Sequence, residues 1–322
     1  MDKGEALMTR VAWLYYVQGL TQDEIAGRLR LSRTKVVRLL AKAKETGLVR
    51  IEVTITSPFK VCLELETRLR ERFQLRDAVV VPTGQDEQQN KVGIAKAGAF
   101  LLERILKERD ILGAGWGTTV YEVGRQMRYL DRRDLTLVQL MGGINAIAGH
   151  TPPETVKLLA TKLGAKGYWL NTPFVVDSPE IKEAILSDVG IRQVLDMAKM
   201  VRVALVSIGD VGERSLWVTS DVFSRELMSH LYLKGAVGDI LGQFFNIHGE
   251  IVHSNFENRI IALPLSELSQ IPVVIGVAGG EHKIEAILGA LRGRFINILV
   301  TDEATAHNIL LRANDTCIVD SG

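Results

Sequence analysis

The sequence predicts an α/β protein preceded by a small helical unit, and three observations carry that prediction. From residue 77 onward, short apolar runs alternate with segments of helical spacing, the pattern of a mainly parallel sheet covered on both faces. The first fifty residues instead show helix caps and helix stops in close succession. Charge divides in the same way: residues 1–50 hold ten Lys/Arg against five Asp/Glu, a net of +5, and the remainder holds 29 against 33, a net of −4. The formal +1 of the 322-residue chain conceals this split, and the length suits two domains better than one.

In the N-terminal unit, residues 5–18 place Leu7, Val11 and Leu14 at helical spacing, and Gly19 ends that helix. Thr21 and Glu24 form the T-x-x-E pattern of a capping box, opening a short helix through Leu29. Ser32 is a natural N-cap for a further helix that runs to about Thr46, where Gly47 stops it. Two short helices joined by about three residues make a helix-turn-helix candidate. Ile25, Leu29 and Leu31 can pack on Val36, Leu39 and Leu40, with Ala26 keeping the crossing tight.

The outward positions at the start of the second helix are Ser32, Arg33, Thr34, Lys35 and Arg38. These donors and acceptors suit base edges and phosphates at the end of a helix that enters a major groove. Thr21 and Gln22, opening the preceding helix, join them as candidate DNA contacts. Residues 28–50 carry eight basic side chains and one acidic, Glu45, a local excess that favours a polyanion. The run 48–56, L-V-R-I-E-V-T-I-T, alternates with period two and could form a wing. The expectation is a winged helix-turn-helix over residues 1–56 that binds double-stranded operator DNA.

Several classes are excluded. No apolar run reaches the ~18–20 residues of a membrane span, and the N-terminus carries no signal-peptide core, so a cytoplasmic protein is expected. Cys62 and Cys317 fit no disulfide or metal spacing, and His248 and His253 flank what reads as a turn. No metal or cofactor is called for.

Residues 57–76 begin with a proline break and then repeat Val61, Leu65, Leu69 and Phe73 on a charged helix. That helix reads as a linker or self-association seam, or equally as a surface helix lying on its own domain. The strand candidates beyond it are 77–81, 110–115, 135–141, 203–209, 273–279 and 295–301, with helices at 89–107, 151–164 and 281–292. In such sheets ligands bind outside the carboxyl ends of the strands. Those ends share a theme here: G-A-G-W-G-T-T after the second strand, M-G-G-I-N after the third, S-I-G-D, A-G-G-E-H-K and T-D-E-A-T after the next three. Glycines let backbone approach a ligand, and free N–H groups at the following helix start favour anions, with Thr118 and Thr119 adding hydroxyls. Converging loops of this kind predict a polar pocket in residues 57–322.

The N-terminal T-Q-D-E-I-A-x-R-L-x-L-S-R-T-K-V-x-R-L-L resembles the winged helix-turn-helix of the SorC family of bacterial transcription regulators. The blocks at 235–250, G-A-V-G-D-I-L-G-Q-F-F-N-I-H-G-E, and at 277–306, beginning V-A-G-G-E-H-K, resemble that family's two most recognisable segments. Together the similarity covers nearly the whole chain. It implies a Rossmann-like effector domain related in fold to glucosamine-phosphate and ribose-phosphate isomerases, used for sensing a small sugar or sugar phosphate, in a dimer or tetramer. It also implies roles: Gly115, Trp116, Gly117, Thr118 and Thr119 as the phosphate loop, Asp239 toward sugar hydroxyls, and Lys283 toward the effector's charged or hydroxyl end. Gln243 and Phe244 would form a nearby wall, and Gly142, Gly143, Gly279 and Gly280 the surrounding loops. One departure stands out: some members carry Arg or Lys just before Gly142-Gly143, where this chain has Met141, which argues against a bisphosphate effector.

The expected function is therefore a DNA-binding regulator of a carbohydrate or polyol operon, and not an enzyme. Two alternatives stay open on sequence. One is a sugar-phosphate isomerase or related hydrolase using Asp210, Asp239, Glu281, His282 or Asp302 as a base. The other is an oligomerisation platform with a vestigial pocket.

Overall fold

The structure, a computed structural model, describes residues 3–49, 59–144, 150–213, 215–254 and 256–315. Contacts divide the chain into two compact units, Met1–Thr56 and Ser57–Gly322.

The first unit contains α1 (Lys3–Tyr16), α2 (Gln22–Leu29) and α3 (Arg33–Glu45). Its core is Val11, Leu14, Ile25, Ala26, Val36 and Leu40, with Leu29, Leu31 and Leu39 packed at the margin. Both caps form as the sequence predicts. Thr21 and Glu24 bond reciprocally at the start of α2, and the Ser32 side chain accepts from Lys35 N–H at the start of α3. Gly19 and Gly47 take positive φ beyond α1 and α3, a backbone conformation that costs glycine little. Most of the run expected to form a wing, from residue 50 on, lies outside the described residues.

The second unit opens with α4 (Phe59–Phe73), β1 (Asp77–Val81), α5 (Glu87–Ile105), β2 (Ile111–Ala114), α6 (Thr118–Gln126) and β3 (Thr136–Gln139). It continues with α7 (Pro152–Leu163), β4 (Lys166–Tyr168), α8 (Pro179–Ser187), α9 (Val189–Lys199), β5 (Val203–Ser207) and β6 (Gly209–Asp210). The last part holds α10 (Leu216–Thr219), α11 (Arg225–Leu233), β7 (Ala236–Ile240), β8 (Gln243–Asn246), α12 (Leu265–Leu268) and β9 (Val273–Val277). A 3-10 turn, Glu281–Lys283, leads into α13 (Ile284–Arg292), followed by β10 (Ile298–Asp302) and α14 (Glu303–Asp315).

Seven strands form one parallel sheet in the order β1-β10-β9-β5-β2-β3-β4. Each of the six strand candidates overlaps one strand of this sheet, because strands buried on both faces read as continuous apolar runs; the candidate 203–209 also runs on into Gly209 of β6, and the edge strand β4 matches no candidate. β5 shows the arrangement. Val203 and Leu205 belong to one core layer with residues of α5, α6 and α7, while Ala204 and Val206 belong to the layer on the opposite face. A small antiparallel sheet, β6-β7-β8, lies outside the expected set. Leu65 and Leu69 of α4 are buried in the layer that holds Ile309 and Leu310 of α14, so this seam packs on its own unit.

The order of the strands fixes where a ligand can enter. From β2 the chain proceeds outward through β3 to β4, whereas from β5 it proceeds the other way through β9 and β10. The loops leaving β2 and β5 therefore diverge, and a crevice opens between their carboxyl ends.

Candidate functional site

At that crevice the loop after β2 and the loop after β5 face each other. A cavity of about 60 Å³ is lined by Trp116, Gly117, Thr118, Thr119, Met141, Ser207, Gly209, Asp210, Leu216, Trp217, Asp239, Leu241 and Lys283. Gly117 holds φ +145°, a conformation that L side chains rarely adopt, and an added Cβ would run into the Ser207 hydroxyl. That hydroxyl donates to the Trp116 carbonyl at 2.6 Å, tying the two loops together.

The start of α6 differs from that of α7, the next helix in the chain. Gly117 is its N-cap and supplies no side-chain hydrogen bond, so the first amides of α6 keep their donors for something else. At α7 the opposite holds: Thr151 and Glu154 form a capping box, and Pro152 and Pro153 bring no N–H at all. The first amides of α6, beside the hydroxyls of Thr118 and Thr119, are chemically suited to an anion.

Opposite this cradle lie Asp239 on β7, Asp210 on β6 and Lys283 at the end of the 3-10 turn. Asp239 is 3% exposed. Its Oδ2 accepts from Gly242 N–H at 3.0 Å, but no donor reaches Oδ1 in hydrogen-bond geometry. Burial pushes the Asp239 carboxyl up to about 6, against the opposing pull of the Trp217 indole, the Gly242 amide and the Lys283 ammonium. Burial likewise lowers the Lys283 amine from its ordinary value, with Asp210 and Asp239 acting against it. Lys283 Nζ donates to the Ile208 carbonyl at 2.9 Å, which fixes its reach. Five buried side-chain atoms lack a partner among the described residues, and Asp239 Oδ1 is the one on a residue lining this cavity. An unmet acceptor in a cavity is costly unless a ligand hydroxyl or a proton meets it.

Aromatic rings close the cavity. Trp116 and Trp217 meet edge to face at 5.1 Å between centroids, and Trp217 stacks on Phe174 at 5.1 Å. The Trp116 indole donates to the His150 carbonyl, and the Tyr121 ring lies on the His150 ring. Phe174 also lines a wider concavity of about 600 Å³ with Gly143, Thr151, Thr172 and Asp221.

Six of the effector candidates thus come together: Trp116, Gly117, Thr118, Thr119, Asp239 and Lys283. The others lie outside the cavity. Gly115 precedes the loop and donates its N–H to Leu205 in the sheet, Gly142 packs its backbone on Pro173, and Gly143 faces the wider concavity. The Gln243 amide is spent on Leu263 O and Leu265 N, both at 2.9 Å, and Phe244 is buried against Phe223. Gly279 lies against Asp302, and Gly280 donates to Thr305. Trp217, Ser207 and Leu241 were not among the candidates. Trp217 sits on a four-residue helix a few residues beyond the S-I-G-D strand end, and no motif in that short helix marks it.

In the first unit, Ser32, Arg33, Thr34, Lys35 and Arg38 are all exposed along one side of α3, above the buried Val36, Leu40 and Ala43. Thr21 is exposed, but its hydroxyl donates to Glu24 at 2.8 Å, and Gln22 is half-buried.

Comparison with known proteins places the chain among transcriptional regulators. Residues 57–311 match the family described as "Putative sugar-binding domain". The chain is 37% identical over 311 residues to the transcriptional regulator LsrR of Escherichia coli K12, covering 95% of each protein. It is 35% identical over 314 residues to LsrR of Enterobacter sp. strain 638, covering 96% of this chain and 94% of that one. Among solved structures it resembles the full-length sorbitol operon regulator SorC from Klebsiella pneumoniae, with a TM-score of 0.74 and 30% identity, over 96% of this chain and 99% of the other. A DeoR family transcriptional regulator from Listeria monocytogenes aligns with a TM-score of 0.70 and 28% identity, over 77% of this chain and 99% of the other.

Proposed function

The chain belongs to the SorC family of transcriptional regulators, and from that membership we propose how its two units divide the work. It is a sugar-responsive DNA-binding regulator. Residues 1–56 read the operator through the exposed start of α3, and residues 57–322 sense a small sugar or sugar phosphate and assemble the protein as a dimer or tetramer. The effector's phosphate rests on the start of α6 with Thr118 and Thr119, while Asp239, Asp210 and Lys283 take its hydroxyl end. The observation that carries this placement is the unmet Asp239 Oδ1, on a residue that lines the same cavity as a helix start without a side-chain cap.

One charged cradle and a neutral Met141 suit a monophosphate better than a bisphosphate. The cavity is smaller than a sugar phosphate, so binding moves the aromatic wall of Trp116, Trp217 and Phe174. Such movement supplies the two states whose different affinities for the effector make a response. Operons for carbohydrate or polyol use are the natural targets. Among the described residues no helix is long and apolar enough to cross a membrane, which agrees with action in the cytoplasm.

The test is a thermal-shift screen of the purified protein against sugars, polyols and their monophosphates, with turnover followed in the same wells. Selective stabilisation without product is the expected result. Turnover of any sugar phosphate would replace the sensor by an isomerase. In the variant carrying Thr118→Val and Thr119→Val, affinity for a phosphorylated hit should fall by about tenfold or more, the scale of lost charge-assisted bonds. Operator binding should persist. An undiminished response would place the phosphate elsewhere.

A further inference from the structure

The described part of the first unit contains four carboxylates: Glu5, Asp23, Glu24 and Glu45. Three have evident positions or duties. Glu5 lies in the first turn of α1, Glu45 closes α3, and Glu24 accepts both the backbone and hydroxyl protons of Thr21. Asp23 is different. Its Oδ1 lies 3.7 Å from Nε of Arg33, the first residue of α3, and both side chains are exposed. Among the described residues Arg33 is the one cation of this unit held in an ion pair, while Lys35 and Arg38 beside it are not. Asp23 and Arg33 also share the rim of a concavity formed with Tyr15, Gly19, Leu20, Thr21 and Gln22.

We infer that Asp23 is a specificity-determining residue, one that pairs with Arg33 and withholds it from DNA that offers only phosphate. This rests on the reading of α3 as the DNA-facing helix. An unpaired arginine at a helix start accepts any phosphate, and such contacts supply the affinity for random sequence. Leaving Asp23 for a phosphate forfeits the pair and brings a second anion toward the carboxylate. A guanine edge offers two acceptors, O6 and N7, without a net charge, so Arg33 can reach it while still neighbouring Asp23. Asp23 therefore weakens random binding more than it weakens binding to a matched site. The competing account makes Asp23 only a favourable charge in the first turn of α2.

The test uses the full-length protein and two duplexes: one enriched from a randomised pool by the wild type, the other a scramble of it. In Asp23→Asn, affinity for the scrambled duplex should rise by about fivefold, the upper range for an exposed pair. The enriched duplex should change by less than about twofold, so that the preference narrows, and the salt dependence on scrambled DNA should steepen by about one phosphate contact. Asp23→Glu should restore the preference, and in an Arg33→Ala background Asp23→Asn should alter it no further. An unchanged preference in a folded Asp23→Asn protein overturns the inference, leaving Asp23 as a helix-start charge. A change that persists without Arg33 also overturns it, because Asp23 would then read DNA itself. If Arg33→Ala binds both duplexes like the wild type, the reading of α3 fails, and the inference with it.

Discussion

Two buried aspartates at one end of the sheet have opposite surroundings. Asp302 closes β10 at 1% exposure, and Asp239 lies in β7 at 3%. The Asp302 carboxylate accepts from Thr83 Oγ1 at 3.1 Å, Asn90 Nδ2 at 3.0 Å, Thr305 N–H at 3.0 Å and the Thr305 hydroxyl at 2.6 Å. Burial acts to raise its pKa, but those bonds from Thr305, Asn90 and Thr83 outweigh burial and hold the group below its ordinary value. Asp239 has one amide donor and is pushed the other way. The same residue type at equal depth therefore has two physical meanings. A fully satisfied carboxylate braces the fold, and an unsatisfied one beside a cavity awaits a partner.

The largest effect should come from Asp302→Ala, which strands several donors at once and should cost about 3 kcal/mol or more in urea unfolding. A loss below about 1 kcal/mol would erase the distinction between the two sites. Asp239→Asn should weaken binding of the screened effector by about 2 kcal/mol, roughly thirtyfold in calorimetry. In the same variant the ligand-free protein should melt higher than wild type at pH 8. The sign follows from linkage. The folded Asp239 value of about 6 lies above the ordinary 3.8, so the ionised form burdens the fold above pH 6, and the burden lifts as pH falls from 6 toward 4. The melting difference should accordingly close near pH 4. Asp302 runs the other way: its contribution is complete above the ordinary carboxylate value and disappears only as pH falls through its lowered folded value. Thr83→Val removes one of the four bonds to Asp302 and should cost about 1 kcal/mol without touching effector affinity. A matching loss of affinity would mean that the brace and the site are one.

Much of the scaffold was legible in the sequence for physical reasons. β1 occupies the residues expected of it, 77–81, and the caps at Thr21 and Ser32 appear where side chains could close helix ends. The small sheet was not legible. β6 has two residues, and A-V-G-D-I and Q-F-F-N show neither a clean alternation nor a helical period, because a partner strand and the layer below set their pairing. The cavity was half legible. Gly117 is marked by its glycine and the neighbouring threonines, whereas Trp217 arrives from a short helix that only the tertiary structure brings over the crevice. Gln243 shows the converse. Its polar amide looked available in sequence, yet it staples the backbone at Leu263 and Leu265.

The pairing of β1 with β10 joins the first strand of the sheet to the last. The crevice depends on residues from Trp116 to Lys283, and its flanking strand β5 is held by β9. The first unit, by contrast, builds its core from residues 8–49 alone. On a ribosome that releases the chain N-terminus first, the helices of the first unit can pack long before Lys283 emerges. During synthesis the first unit can thus be complete before the cavity has all of its lining residues, so each new copy holds a folded N-terminal unit before it holds a crevice.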